Sequence, residues 1–218
     1  YTIENHKALN PYAIQANFQQ NSQMGKASAA YEQKISYKKY GKSMKIRLFA
    51  GQFIYKTTLS KMKTDYRFRL GGFSGNNDYL YDYYYAGRNT PDNNALSQQL
   101  VEADGNFKIK TGIGQTWDWL YAANINAPFP GKIPFGVYGN LGVYANKENI
   151  NQPNAIWQYE AGFSFSVIKN VVTVWFPVTY SRDIKEYNDI ITSNYLQKVR
   201  FSLYLNNLNP LSAIEKAL

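Results

Sequence analysis

The chain has no cysteine and only one histidine, His6, in 218 residues. The first absence excludes disulfides, thiolate metal sites and a cysteine nucleophile, and leaves the redox compartment open. The second removes most zinc sites and the Ser-His-Asp type of nucleophile, which need histidine in most of their forms. His6 lies in a polar stretch ahead of the first convincing strand pattern. A membrane-embedded lipid enzyme, which pairs a Ser with a His on a barrel's outer edge, is therefore the weakest functional alternative. No run of about 18 apolar residues occurs, which excludes a transmembrane helix. No charged-then-apolar leader stands at Tyr1, so the chain reads as a mature protein or a fragment. No linker divides it, and it is read as one domain, 1–218.

What the chain does have is tyrosine: 20 Tyr beside 12 Phe and 4 Trp, 17% aromatic in all. A water-soluble core favours Leu, Ile and Phe, whereas Tyr and Trp suit a surface apolar at one end and wet at the other, such as the girdles of a membrane barrel. The mean hydropathy of -0.47 does not oppose this, because a polar lumen dilutes the average. The net charge of +9 raises the question of nucleic acid. Its cations are scattered among apolar residues and no recognition-helix, zinc-finger or RNA-binding signature accompanies them, so nucleic acid is not expected as a partner.

The strongest signal is period-two alternation, which puts successive side chains on opposite faces of a strand. Over Gly25 to Lys39, Ala27, Ala29, Tyr31, Ile35 and Tyr37 face Lys26, Glu32, Lys34 and Lys38. Met44, Ile46 and Leu48 oppose Lys45 and Arg47, and Tyr66, Phe68 and Leu70 oppose Arg67 and Arg69. Trp117, Trp119, Tyr121, Ala123 and Ile125 share a phase, as do Ile133, Phe135, Val137, Leu141 and Val143. Trp157, Tyr159, Ala161, Phe163, Phe165 and Val167 lead to a hairpin break at Lys169-Asn170, and Val172, Val174, Phe176, Val178 and Tyr180 lead out. A last run sets Val199, Phe201 and Leu203 against Lys198 and Arg200. Strands of about ten residues fit a tilted bilayer crossing better than the usual five or six.

The fold expected is all-β: an antiparallel transmembrane β-barrel of about 8–12 strands, nine or ten of them visible. Alternation alone leaves open a soluble barrel with the faces reversed. Short connections at Pro128 to Lys132 and Lys169-Asn170 read as periplasmic turns, and Asn146 to Asn154 and Ile184 to Asn194 as external loops. Tyr40-Gly41-Lys42 reads as a further turn. The break at 74–104 is too long for a plain loop and reads as a functional or plug-like insertion. A ten-strand count puts it on the periplasmic side. An unbroken phase from Phe107 to Ile125 permits instead one long strand over Gly105 to Ala127, which makes the insertion external and the count odd, with a strand missing before Tyr1 or hidden in Tyr79 to Arg88. Leu211, Ile214 and Leu218, with Ser212 as N-cap, have the spacing of a short amphipathic helix, or belong to a frayed tail.

Candidate site residues follow from the faces. Glu32, Lys34, Lys45, Arg47, Arg67, Arg69, Lys108, Asp118, Glu160, Lys198 and Arg200 form an expected lumen charge network. Glu32, Asp118 and Glu160 stand among cations and make poor glycosidase-type carboxylate pairs. The cations, with Lys110, suit a small anion-favouring pore, but a barrel of this size is just wide enough to be filled by side chains, which favours a closed interior. Tyr31, Tyr37, Tyr66, Trp117, Trp119, Trp157, Tyr159, Phe176 and Tyr180 are the expected membrane girdle. Tyr79, Tyr81, Tyr83, Tyr84, Tyr85 and Arg88 are either a partner-contact segment or the upper girdle. No catalytic residue, metal or cofactor is called for.

Several stretches carry a family resemblance: Tyr66-Arg67-Phe68-Arg69-Leu70-Gly71-Gly72, Asn77-Asp78-Tyr79-Leu80-Tyr81-Asp82, Ala86-Gly87-Arg88, Leu96-Ser97-Gln98-Gln99, Glu102-Ala103-Asp104-Gly105, Trp117-Asp118-Trp119-Leu120, Val199-Arg200-Phe201-Ser202-Leu203 and Asn206-Asn207-Leu208-Asn209-Pro210. With them, nearly the whole chain resembles the C-terminal membrane-barrel region of large outer-membrane proteins of Gram-negative bacteria whose N-terminal part looks like a gluzincin zinc aminopeptidase. The His-Glu-x-x-His motif of that class cannot occur with one His, so no catalytic residue carries over. The resemblance implies a non-catalytic barrel in the outer membrane, in contact with the lipid bilayer and lipopolysaccharide. It further implies a barrel that anchors a peptidase-like part outside this chain, or joins it to other outer-membrane or periplasmic proteins.

Overall fold

Alternation becomes a sheet where neighbouring strands present the same phase. The computed structural model describes residues 1–5, 9–37, 42–57, 64–88, 94–145, 155–168, 171–191 and 194–205. Its strands are β1 (Thr2–Asn5), β2 (Tyr12–Gln20), β3 (Met24–Ser36), β4 (Ser43–Lys56), β5 (Phe68–Arg69), β6 (Gln115–Thr116), β7 (Trp119–Pro128), β8 (Phe135–Tyr144), β9 (Ile156–Ile168), β10 (Val172–Tyr180) and β11 (Arg200–Leu203). Among the described residues one α-helix, α1 (Arg182–Ile191), lies between β10 and β11. Nine strands form one antiparallel sheet in the order β1-β2-β3-β4-β7-β8-β9-β10-β11. Each pairs with its sequence neighbour except across the insertion, where β4 meets β7. β5 and β6 make a separate two-stranded piece. Among the described residues β1 and β11 do not pair with each other.

The strand order sorts the connections. The segments 57–118, 145–155 and 181–199 leave from one end of the sheet, with the tight 21–23 link; the stretches 6–11, 37–42, 129–134 and 169–171 sit at the other. The three longest connections thus share one end, with 21–23 as the one short link beside them, and the insertion lies at the same end as the loops read as external.

The insertion folds back over one face of the sheet. Phe68, Leu70, Phe107, Ile109 and Trp117 join Met24, Phe49, Phe53, Leu120, Tyr144 and Ile184 in a single buried cluster. Space for the descending side chains comes from glycine: a Cβ on Gly142 would lie 2.2 Å from Leu70 Cδ2, and one on Gly51 would lie 2.7 Å from Phe68 Cε1. The insertion also reaches β11, whose Phe201 carbonyl accepts the Leu100 N–H at 2.8 Å.

Four expectations change. The run Tyr66 to Gly72 is not a strand of the main sheet: only Phe68–Arg69 is extended, and Phe68, Arg69 and Leu70 are all buried. The single long strand over Gly105 to Ala127 does not form, since Phe107, Ile109 and Trp117 point into the core, and the outward phase begins only at Trp119. Ile184 to Asn194 is largely the helix α1, anchored by Ile184 and Asn188. The N-terminal stretch supplies β1 and β2. His6, Tyr40-Gly41, Asn146 to Asn154, the Lys169-Asn170 turn and the Leu211 to Leu218 helix lie outside the described residues.

Candidate functional site

The two faces of the sheet differ in kind. On the outward face Leu48, Tyr121, Leu141, Tyr159, Phe163 and Val178 are each more than 40% exposed, and Trp157 is 63% exposed. Trp119 and Tyr121 pack with ring centroids 5.1 Å apart, and Phe135 and Phe165 at 4.9 Å.

On the inward face, cross-strand register lines up one polar row: Glu32 opposite Arg47, Arg47 opposite Asn124, Asn124 opposite Asn140, and Asn140 opposite Glu160. The side chains bond in sequence. Arg47 Nε lies 3.5 Å from Glu32 Oε1 and Nη1 donates to Asn124 Oδ1 at 3.3 Å. Asn124 Nδ2 donates to Asn140 Oδ1 at 3.0 Å, and Asn140 Nδ2 to Glu160 Oε1 at 3.3 Å.

That row grips the main chain of the insertion. Arg47 Nη1 donates to the Asp104 carbonyl and Asn124 Nδ2 to the Gly105 carbonyl, the latter at 2.9 Å. Glu160, 1% exposed, accepts the Lys108 N–H at 2.8 Å and the Ile109 N–H at 3.1 Å. A buried charge persists only when its lone pairs are satisfied.

A second cluster centres on Glu102. Its carboxylate pairs with Lys45 Nζ at 3.0 Å and Lys108 Nζ at 3.1 Å, and accepts the Tyr204 hydroxyl at 2.7 Å. Lys45 reaches on to Glu32 at 3.1 Å. Lys108 Nζ also donates to Asn106 Oδ1 at 2.7 Å and sits 4.4 Å from the Trp175 ring centroid. Burial pushes the Glu102 carboxyl up, but Lys108 and Lys45 outweigh it and hold the group well below its ordinary range. Asp104 goes the other way: burial raises it above the usual carboxylate value despite Lys26 and Arg47 nearby.

Of the residues expected in the network, Glu32, Lys45, Arg47, Lys108 and Glu160 come together. Arg200 holds the insertion separately, donating to the Gln98 carbonyl at 2.7 Å and the Gln99 carbonyl at 3.1 Å. Arg69 is buried beside Asp65 at 3.7 Å, and its N–H donates to Asp104 Oδ2. Lys198 pairs with Asp189 and Tyr180 near α1, and Asp118 pairs with Lys56 at 3.0 Å. Arg67 stands over the Trp117 ring, and Lys34 is exposed. Asn124, Asn140 and Glu102 went unread. The two asparagines sit in phase with Arg47 and Glu160, a signal available in the alternation; Glu102 has none, since only the fold brings it to Lys45.

The girdle also divides. Tyr31, Trp119, Trp157, Tyr159 and Phe176 are on the outward face, and Tyr37 follows β3 half-buried. Trp117 is core, edge-on to Phe53. Tyr66 packs against that core and against Tyr79, at 5.0 Å. Tyr180 turns inward because the register shifts between Pro177 and Thr179. In the tyrosine run, the Tyr79 hydroxyl donates to Gln19 Oε1, Tyr83 lies beside Phe73, and Tyr85 is buried; Tyr81 and Tyr84 project outward. Arg88 organises the segment, pairing with Asp78 at 2.7 Å and stacking on Tyr81 and Tyr85.

Among the described residues no helix is long and apolar enough to cross a membrane, which says nothing of strands, and no three His, Asp or Glu side chains converge as metal ligands. Comparison with family models, curated proteins and solved structures gives no match.

Proposed function

We propose that the chain is a plugged outer-membrane β-barrel of a Gram-negative bacterium, a non-catalytic anchor or subunit of a larger outer-membrane assembly. The carrying observation is an outward face that is apolar and aromatic yet exposed, on a sheet whose inward face already has its own filling, an apolar cluster beside a buried, hydrogen-bonded polar row. A water-soluble sheet leaves polar residues on its exposed face, whereas lipid suits an apolar one. Strands β7 and β8 of 10 residues each match the length of a tilted crossing. The gathering of the three longest connections at one end supports an external insertion. Lipid and lipopolysaccharide are the expected surroundings. Outer-membrane or periplasmic proteins, among them a peptidase-like part suggested by the family resemblance, are the expected partners, with the exposed Tyr81 and Tyr84 as contact points.

The engaged state of Lys45, Arg47 and Lys108 favours a closed interior over an anion pore. Folded in detergent, the chain is expected to migrate anomalously on gels until boiled and to give no steady conductance in planar bilayers. Stable anion-selective steps would replace the plug reading by a pore. Failure to fold in any detergent or vesicle, with folding in plain buffer, would remove the membrane reading.

A further inference from the structure

The insertion does not fill the inward face evenly. Between the segment 77–83 and the inner wall of β2, β3 and β4 lies an open-mouthed cleft of about 110 Å³, smaller than the sites that enclose a drug-sized ligand, about 300–1,000 Å³, so that it seats one end of a ligand while the rest stays outside. Its wall is built by alternation. Gln15, Asn17 and Gln19 project from β2 toward it, opposite Ala30, Ser28 and Lys26 of β3. The small Ser28 and Ala30 keep the space beside the amides open, and Tyr79 and Tyr83 form the other wall.

Of the charges at the cleft all but Asp82 are already engaged. Lys26 Nζ donates to the Tyr66 carbonyl at 2.9 Å, Arg47 belongs to the polar row, Asp78 is bound by Arg88, and Glu102 by two lysines. An anion entering would meet Asp82 and Asp104; a cation would meet Lys26 and Arg47. The amides are different. Among the described residues no side-chain hydrogen bond engages Gln15, Asn17 or Ser28, each able to donate and accept. A peptide strand is not the fitting occupant, because it docks on a sheet edge, and this wall is a face of paired strands.

We propose that this cleft binds a neutral, hydroxyl-rich ligand, a sugar unit of an oligosaccharide: the free amides meet its hydroxyls and the tyrosine rings cover its apolar face. The inference goes beyond the anchoring role and holds whether or not the barrel has a partner. The test uses the full chain folded in a zwitterionic detergent lacking a sugar headgroup, screened against an array of neutral and acidic oligosaccharides, with delipidated lipopolysaccharide core as a separate arm. A neutral ligand is expected to bind, with the array and the core arm distinguishing a free glycan from the cell's own surface sugar. Calorimetry on the best neutral ligand should show Q15A/N17A weakening binding by roughly tenfold, the loss of two ordinary hydrogen bonds, while heat-modifiable migration is kept. Ser28→Leu, which fills the cleft floor without touching the amides, should weaken it as well. Absence of neutral-saccharide binding up to about 10 mM, binding of acidic glycans alone, or unchanged affinity in both variants would overturn the proposal.

Discussion

One residue of offset separates two rows across the same strands. Tyr31, Leu48, Ala123, Leu141 and Tyr159 are cross-strand neighbours on the outward face; Glu32, Arg47, Asn124, Asn140 and Glu160 are cross-strand neighbours on the inward face. The backbone pairing is identical and the chemistry opposite. The outward row needs no specific partner, only an apolar medium. The inward row tolerates burial because each member bonds the next and three of them bond the insertion's main chain. Breaking the first is a matter of solvent; breaking the second is a matter of leaving charges unpaired.

The largest effect should come from the interior. Glu102→Ala strands Lys45 and Lys108 together and is expected to cost about 3–5 kcal/mol, read by denaturant unfolding in detergent. The same carboxylate sets a pH dependence. Its folded pKa lies below the unfolded one, so its contribution is complete above the usual carboxylate range and is lost as pH falls through the depressed folded value. Asp104, raised by burial, acts in the opposite sense: its protonation on acidification relieves a cost carried at neutral pH. Glu102→Gln should therefore flatten the acid limb of the stability curve, and Asp104→Asn should raise neutral-pH stability relative to acid; an acid limb unchanged by Glu102→Gln would assign it elsewhere.

On the outward row, Leu141→Arg should cost about 2–4 kcal/mol in a bilayer, as for a cation near the midplane of a lipid-facing strand. In a water-exposed sheet the same change stays within about 0.5 kcal/mol, so folding titrations into vesicles decide between lipid and water. Between the two faces, Gly142→Val puts a methyl into Leu70 and is expected to cost about 1–3 kcal/mol by overpacking the plug, with no effect if the insertion detaches in solution. Smallest is the double substitution Tyr81→Ala with Tyr84→Ala, within about 0.5 kcal/mol for the isolated chain. Its consequence should appear only as lost co-purification of a partner.

Much of the sheet was readable. In β3, β4, β8 and β9 the alternation gives the outward and inward sets as the structure has them, because a paired strand must send neighbours to opposite faces. Parity misleads where no paired strand underlies it, or where a bulge shifts the register. Phe107, Ile109 and Trp117 share a parity with Trp119 and Ile125, yet the chain turns at Gly114, with φ of 77°, and the earlier three enter the core. Tyr180 kept the parity of Phe176 and lost the face at the bulge. β1 and β2 escaped because Ile3, Gln15 and Asn17 alternate too weakly to stand out.

The amino-acid sequence by itself determined the strand-rich antiparallel class and the apolar outward set, both consequences of local geometry and composition. Only the tertiary structure decided that the insertion fills the inward face, that Glu102 joins Lys45 and Lys108, and that Gln15 and Asn17 face open space. Those contacts link residues far apart in the chain, and no local period encodes them: they follow from which face of which strand the returning segment covers.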